Sequence, residues 1–256
     1  MQTPREHIIN IRKKFTGENS AINHDGEIVV NNLTELLTDA IEELSKNIYK
    51  KDSHFIMELI QNADDNEYKF GVKPFLKIAQ DSYRMIFQNN EIGFNQNNVD
   101  SICNIKRSTK SGKAGIKGYI GEKGIGFKSV FRVCDGPEIY SNGYQFRFNS
   151  NASLGKKKKQ IKLGYILPEW IEEQNEDVNP AYTNIVLPFI SNMTEIEKKR
   201  LKDVKPNLLL FLNKLLKLEI SNEVENSSVI IEKEVTGNHI LLKETQQQNG
   251  IIKKIK

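Results

Sequence analysis

Apolar residues recur at helical spacing over Phe55–Asn66, FIMELIQNADDN: Phe55, Ile56, Leu59, Ile60 and Ala63 form one stripe. Glu58, Asn62 and Asp65 stand between them at i, i+4 and i+7, which puts three polar side chains on one helix face. Two carboxylates and an amide beside an apolar stripe are costly to bury without partners. The pattern therefore reads either as a solvated helix edge or as an edge that faces a ligand. A shorter amphipathic helix is expected over Arg5–Phe15, with Ile8, Ile9, Ile11 and Phe15 as its apolar side. Thr34 is a candidate N-cap for a helix through LLTDAIEELSKNIYK, and Asp52 or Ser53 for the Phe55 helix.

Alternating positions predict strands. Phe75–Gln80 and Tyr83–Gln88 flank Asp81-Ser82, and Glu138–Ser141 and Tyr144–Phe148 flank Asn142-Gly143, so two hairpins are expected. Val99–Ile105 and Phe127–Val133 read as short helices, Lys162–Leu167 as a strand and Glu169–Glu176 as a short helix on Trp170. Thr183–Phe189 is a further strand. Thr194–Lys202 and Asn207–Leu218 read as helices separated by Pro206, and the apolar run Leu208–Leu218 as a packed helix. Ser228–Lys233, Ile240–Lys243 and Ile251–Ile255 then alternate as an antiparallel meander. The expected organisation is an N-terminal arm over 1–30, one main domain over 31–218, and a β-rich extension over 219–256.

With 256 residues, 38% hydrophobic and 27% charged, the chain has the composition of a soluble globular protein. Its net charge of +4 is modest and its lysines are scattered, without a basic stripe interleaved with aromatics, so nucleic acid is not indicated as a partner. Cys103 and Cys134 are the two cysteines, too far apart in sequence for a zinc motif or a disulfide framework. His7, His24, His54 and His239 form no metal pattern. No apolar leader or membrane-length run is visible, so an intracellular location, cytoplasmic or nuclear, is expected without a membrane partner.

Two glycine-bearing stretches change the reading of the Phe55 helix. NNEIGF, Asn89–Phe94, follows the first hairpin. GEKGIGF, Gly121–Phe127, precedes a helix, where glycines admit close approach of phosphate oxygens and a helix N-terminus favours an anion. It is not a dinucleotide fingerprint, because no strand precedes it, and it lacks the GxxxxGK[ST] of a Walker A loop. Between them lies Lys106–Lys117, a Ser/Gly/Lys-rich loop with few apolar anchors. The order HFIMELIQNADDNEY, NNEIGF, GYIGEKGIGFKSVFRVCDGPEIYSNG and a threonine-bearing strand resembles the Bergerat-fold (GHKL) ATPases, the superfamily of DNA gyrase, the heat-shock-chaperone ATPases, histidine kinases and MutL. Within it the pattern is most like the ATPase-like domains of sacsin and of plant NO VEIN-type proteins, over at least residues 45–190.

That resemblance implies an α/β two-layer sandwich, a mixed and mainly antiparallel sheet covered on one face by helices. It implies Mg²⁺-dependent ATP binding with slow hydrolysis, closure of a lid over 95–119, and a homodimer formed on nucleotide binding. The alternative is a nucleotide-gated chaperone-like or scaffold module with negligible turnover. Glu58 matches the general base, Asn62 the Mg²⁺ ligand, and Asp65 a support for the base-binding end. Gly93 matches the backbone on which the base packs. Gly121, Lys123, Gly124, Ile125, Gly126 and Phe127 match the phosphate turn, and Thr183 a threonine near the purine. Where the superfamily has DxGxG, this chain has Asn89 in place of the base-reading aspartate and Glu91 in place of the first glycine. Asparagine can accept or donate, so weaker discrimination between ATP and GTP is expected. The phosphate-sensing Lys or Arg of related enzymes has no assigned counterpart, and downstream domains of a longer protein are an expected source. Asp64 is expected to face solvent and Lys128 to pack its stem on a helix surface.

Overall fold

The computed structural model describes residues 2–16, 54–103, 126–150, 164–173, 175–190, 201 and 204–255. The helix expected after Thr34, most of the lid, the turn residues Gly121, Lys123, Gly124 and Ile125, and most of Thr194–Lys202 lie outside these residues. The described helices are α1 (Pro4–Thr16), α2 (His54–Asp65) and α3 (Gln96–Cys103), with 3-10 helices at Gly126–Arg132 and Pro206–Phe211. The strands are β1 (Phe75–Gln80), β2 (Arg84–Asn89), β3 (Glu138–Ser141), β4 (Tyr144–Arg147), β5 (Glu169–Trp170), β6 (Thr183–Pro188), β7 (Lys217–Asn222), β8 (Ser227–Thr236), β9 (His239–Gln248) and β10 (Ile251–Ile255).

Among the described residues all ten strands belong to one sheet, in the order β10-β9-β8-β7-β1-β2-β6-β3-β4-β5. Its pairs are antiparallel except β1 with β7, which run parallel with Phe75 opposite Lys217. The fold is thus a mixed α/β fold on a mainly antiparallel sheet. Period-2 alternation sets the register. Val229, Ile220, Ile78, Phe87, Ile185, Ile139 and Phe146 fall opposite one another on seven consecutive strands and make an apolar belt. A one-residue slip in any of these strands would turn its part of the belt to the other face.

Helix α2 buries the stripe its spacing predicts, Phe55, Ile56, Leu59, Ile60 and Ala63, and packs against the 3-10 helix Gly126–Arg132. Helix α1 buries Ile8 and Ile11 against β4, β5 and α3, while Ile9 of the expected apolar side stands 36% exposed. Buried His7 joins three of these elements. Its Nδ1 lies 3.1 Å from the Tyr144 hydroxyl and its Nε2 3.2 Å from Asp100 Oδ1.

Three expectations are corrected. Glu169–Trp170 is a strand rather than a helix: it pairs with β4 and the Ile171 N–H donates to the Gln145 carbonyl at 3.0 Å. Gly164–Ile166 is a turn, not part of a strand. Asn207–Leu218 is not one helix. It is a 3-10 helix to Phe211, a loop, and then β7. The loop has a physical cause. The N–H groups of Asn213, Lys214 and Leu215 donate to the Asp64 carboxylate at 2.7–2.8 Å, so a continuing helix would have to give up those bonds to make its own. Among the described residues no helix is long and apolar enough to cross a membrane.

Candidate functional site

Helix α2 brings two of the sequence-predicted groups to one junction. Glu58 and Asn62 are half-buried on the edge next to its apolar stripe. The Glu58 carboxylate lies directly against Gly126, the last glycine of the GEKGIG turn: a Cβ built there would fall inside the shell of Glu58 Oε1 and clash with Cδ and Cγ. Gly126 is therefore a glycine because a carboxylate occupies the space of its side chain. Gly126 and Phe127 are themselves buried at the start of the 3-10 helix, where the Ser129 hydroxyl donates to the Gly126 carbonyl at 2.6 Å.

The far end of α2 is fixed by charge. The Asp64 carboxylate is 3% exposed and takes the three loop N–H groups already described, so it is a buried fixture and not a solvent-facing residue. Lys214 Nζ donates to the Asp65 carbonyl at 3.0 Å and the Asn66 carbonyl at 2.6 Å, a cation on the orphan carbonyls of a helix C-terminus. Asp65 itself is half-buried.

Just beyond, the ends of β2 and β6 gather the residues assigned to the base. Asn89 and Thr183 face each other across the β2–β6 pair, both buried. Asn89 Nδ2 donates to the Tyr68 hydroxyl at 2.7 Å and to the Phe75 carbonyl at 2.8 Å, and the Tyr68 hydroxyl donates to the Ala63 carbonyl at 2.6 Å. Burial pushes the Tyr68 hydroxyl up, outweighing the bond from Asn89, which lowers it. Asn89 Oδ1 is buried without a hydrogen-bond partner among the described residues. Thr183 Oγ1 donates to Glu91 Oε1 at 2.6 Å and lies 2.5 Å from Ser141 Oγ, which accepts the Phe94 N–H at 2.8 Å. Gly93 has φ +93°, and a Cβ there would come 2.6 Å from Asn142 Cβ, so its backbone packs on the β3–β4 turn. Asn142 Nδ2 donates to the Phe94 carbonyl at 3.0 Å and closes that contact.

Sequence reasoning passed over several of these groups. Tyr68 and Ser141 carried no motif, and the chain gives no sign of a loop 149 residues after Asp64 that its carboxylate would hold. Lys128 was expected on a helix surface but is 4% exposed. Its Nζ has no hydrogen-bond partner among the described residues and lies 4.0 Å from the ring centroid of Phe148, with Phe127 and Phe131 within 6 Å. Burial pulls this ammonium down to about 7, and burial pushes the neighbouring Cys103 thiol up to about 12. Among the described residues no three His, Cys, Asp or Glu side chains converge as a metal cluster. The donor chemistry for a hard cation is oxygen, and the half-buried Asn62 amide, one turn from Glu58, fits a site completed by ligand oxygens and water.

No family model matches the chain. Protein NO VEIN of Arabidopsis thaliana is 38% identical to it over 221 residues, which are 79% of this chain. The matched stretch is 8% of NO VEIN, so the chain spans a small part of that protein's length. Over most of its own length, then, this chain is similar to a segment of a NO VEIN protein.

Proposed function

We propose that the chain is a nucleotide-binding domain of the Bergerat (GHKL) kind, a two-layer sandwich with helices on one sheet face, that binds ATP with Mg²⁺ and hydrolyses it slowly. Lid closure over 95–119 and transient dimerisation follow binding. One observation carries the reading: the Glu58 carboxylate sits in the space left by Gly126, at the end of the glycine turn. A base must lie within reach of the water it activates, and a glycine turn is where backbone N–H groups can meet a phosphate. A carboxylate against the last glycine of that turn is the arrangement this reading requires. The similarity to NO VEIN adds support, since the sequence resemblance was to proteins of that type.

In this reading Glu58 orients a water and takes its proton as the water attacks the terminal phosphorus. Gly126, with the preceding turn residues, holds the phosphate oxygens through main-chain N–H groups. Asn62 would hold Mg²⁺ through its amide oxygen; bound there, the ion offsets phosphate charge. Asn89 and Thr183 line the base end. Replacing Glu58 with Ala is expected to retain ATP binding by calorimetry while phosphate release falls by about 10²-fold, the scale of a lost general base. Unchanged turnover would remove Glu58 from that role. ATP binding by the wild type without measurable turnover would favour the nucleotide-gated binding module.

A further inference from the structure

The network around Asn89 assigns every proton in it. The Tyr68 hydroxyl has one hydrogen, and it goes to the Ala63 carbonyl at 2.6 Å. Its oxygen can then only accept from Asn89, at 2.7 Å. The second contact of the same Asn89 nitrogen, at 2.8 Å, is the Phe75 carbonyl, which can only accept. Both neighbours of that amide atom demand a donor, so the atom is Nδ2, and the flipped orientation would set the amide oxygen against two oxygens. The partners are themselves held. The Phe75 N–H donates to Asn90 Oδ1 at 2.8 Å, Asn90 Nδ2 donates to the Lys73 carbonyl at 3.0 Å, and the Phe75 ring stacks edge-on against Tyr182. On the other flank, Thr183 gives its proton to Glu91 and takes one from Ser141. What the network leaves over is Asn89 Oδ1, buried and without a partner among the described residues. A buried acceptor of this kind is stabilised by whatever brings it a donor.

We infer that Tyr68 is a positioning residue that, with the Phe75 carbonyl, locks Asn89 as an acceptor-only reader of the ligand base, selecting a purine that carries an amino group over one that carries an oxo group at the same place. The inference rests on the nucleotide reading above. It reverses the expectation that asparagine makes the site permissive, because the rotation that would let the amide donate to a carbonyl is blocked. It also makes Asn89 act as an aspartate would toward the ligand while using its N–H groups inside the protein, where a carboxylate would face the Phe75 carbonyl.

The test is calorimetric titration of the 256-residue chain with ATP, GTP and purine riboside triphosphate, each with Mg²⁺. Purine riboside triphosphate has the shape of ATP without the amino group. Wild type is expected to prefer ATP over each of the others by at least about tenfold, the scale of one buried hydrogen bond lost or opposed. In Tyr68→Phe the amide loses one of its two holds, and the ATP-to-GTP preference is expected to fall severalfold, with GTP gaining as ATP loses. A purely structural role for Tyr68 would weaken both nucleotides alike and leave the ratio where it was; that result overturns the inference. Asn89→Asp keeps an acceptor and is expected to keep the ATP preference while unfolding at a lower temperature. If Tyr68→Phe does not fold, the wild-type comparison with purine riboside triphosphate decides: equal affinity for it and ATP overturns the inference. ATP and GTP bound equally by the wild type would do the same while sparing the nucleotide reading. Binding of no nucleotide at all would instead bring down that reading, and the inference with it.

Discussion

At the C-terminal end of α2, Asp64 is 3% exposed and accepts three main-chain N–H groups. Two lysines share its neighbourhood. Lys214 donates to the Asp65 and Asn66 carbonyls, and Lys233 Nζ, also buried, donates to the Leu212 carbonyl at 2.5 Å. Burial lowers the Lys233 ammonium while Asp64 works against that. Two residues after Gly126, Lys128 is 4% exposed, and among the described residues its Nζ has no hydrogen-bond partner and lies over phenylalanine rings. Burial is nearly the same in the two regions, but solvation by the protein is not. Where the backbone of the 212–215 loop supplies dipoles, a buried charge is a fixture of the fold. Where three phenylalanines supply a weaker attraction, on the order of 2 kcal/mol at best, the same burial leaves an ammonium near its titration point.

The contrast can be broken from either side. The largest effect is expected at Asp64. Its replacement by Ala strands three N–H donors and is expected to cost about 3 kcal/mol or more of unfolding free energy. Urea denaturation reads this, and a loss under about 1 kcal/mol would mean that water replaces the carboxylate without penalty.

Next is Lys128→Met, an apolar side chain of similar length. It is expected to stabilise the protein by roughly 2 kcal/mol at pH 6, as when a poorly solvated buried charge is replaced. The sign with pH follows from the shift. The folded value is about 7 against an ordinary 10.5, so between these the unfolded chain holds more protons and wild-type stability rises with pH. Below about pH 7 both states are charged and the penalty is at full size. The advantage of Lys128→Met is therefore expected to shrink as pH is raised from 6 to 9. An advantage that stays constant would show that Lys128 keeps its charge in the fold.

The smallest effect sharpens the comparison. Lys214→Met, the same substitution, removes a cation that does have acceptors and is expected to destabilise by about 1 kcal/mol. Opposite signs for Lys128→Met and Lys214→Met, measured side by side by thermal unfolding, would establish that partners and not burial decide. Equal signs would refute it.

The α2 stripe, both hairpins and the three C-terminal strands were legible because each carries one clean period. The run LLLFLNKLLKL was not. It is apolar at nearly every position, and such a run cannot be told apart as helix or strand by periodicity. What decides it is the Asp64 carboxylate capturing the N–H groups of 213–215, a contact between residues far apart in sequence. Trp170 misled for a related reason: β5 is two residues long and exists because β4 offers it an edge. At the candidate site, spacing was enough to put Glu58 and Asn62 on one helix edge, but the contact of the Glu58 carboxylate with Gly126 joins residues 68 positions apart and left no trace in either motif. The orientation of Asn89 was beyond reach, because it is set by Tyr68 and by a main-chain carbonyl, neither of which leaves a mark in a motif.

The parallel pair in the sheet has a consequence for synthesis. Phe75 of β1 pairs with Lys217 of β7, 142 positions further along the chain. The hairpin of β1 and β2 can close as soon as it leaves the ribosome, but the outer edge of β1 must wait for β7. At the usual pace of translation, about 5–20 residues per second, that wait is roughly 7 to 30 s. Throughout it, β1 presents unpaired N–H and C=O groups beside the buried-to-be Leu76 and Ile78, an edge open to strands of other chains. The nascent protein thus has a defined window of vulnerability, which ends when β7 emerges and docks.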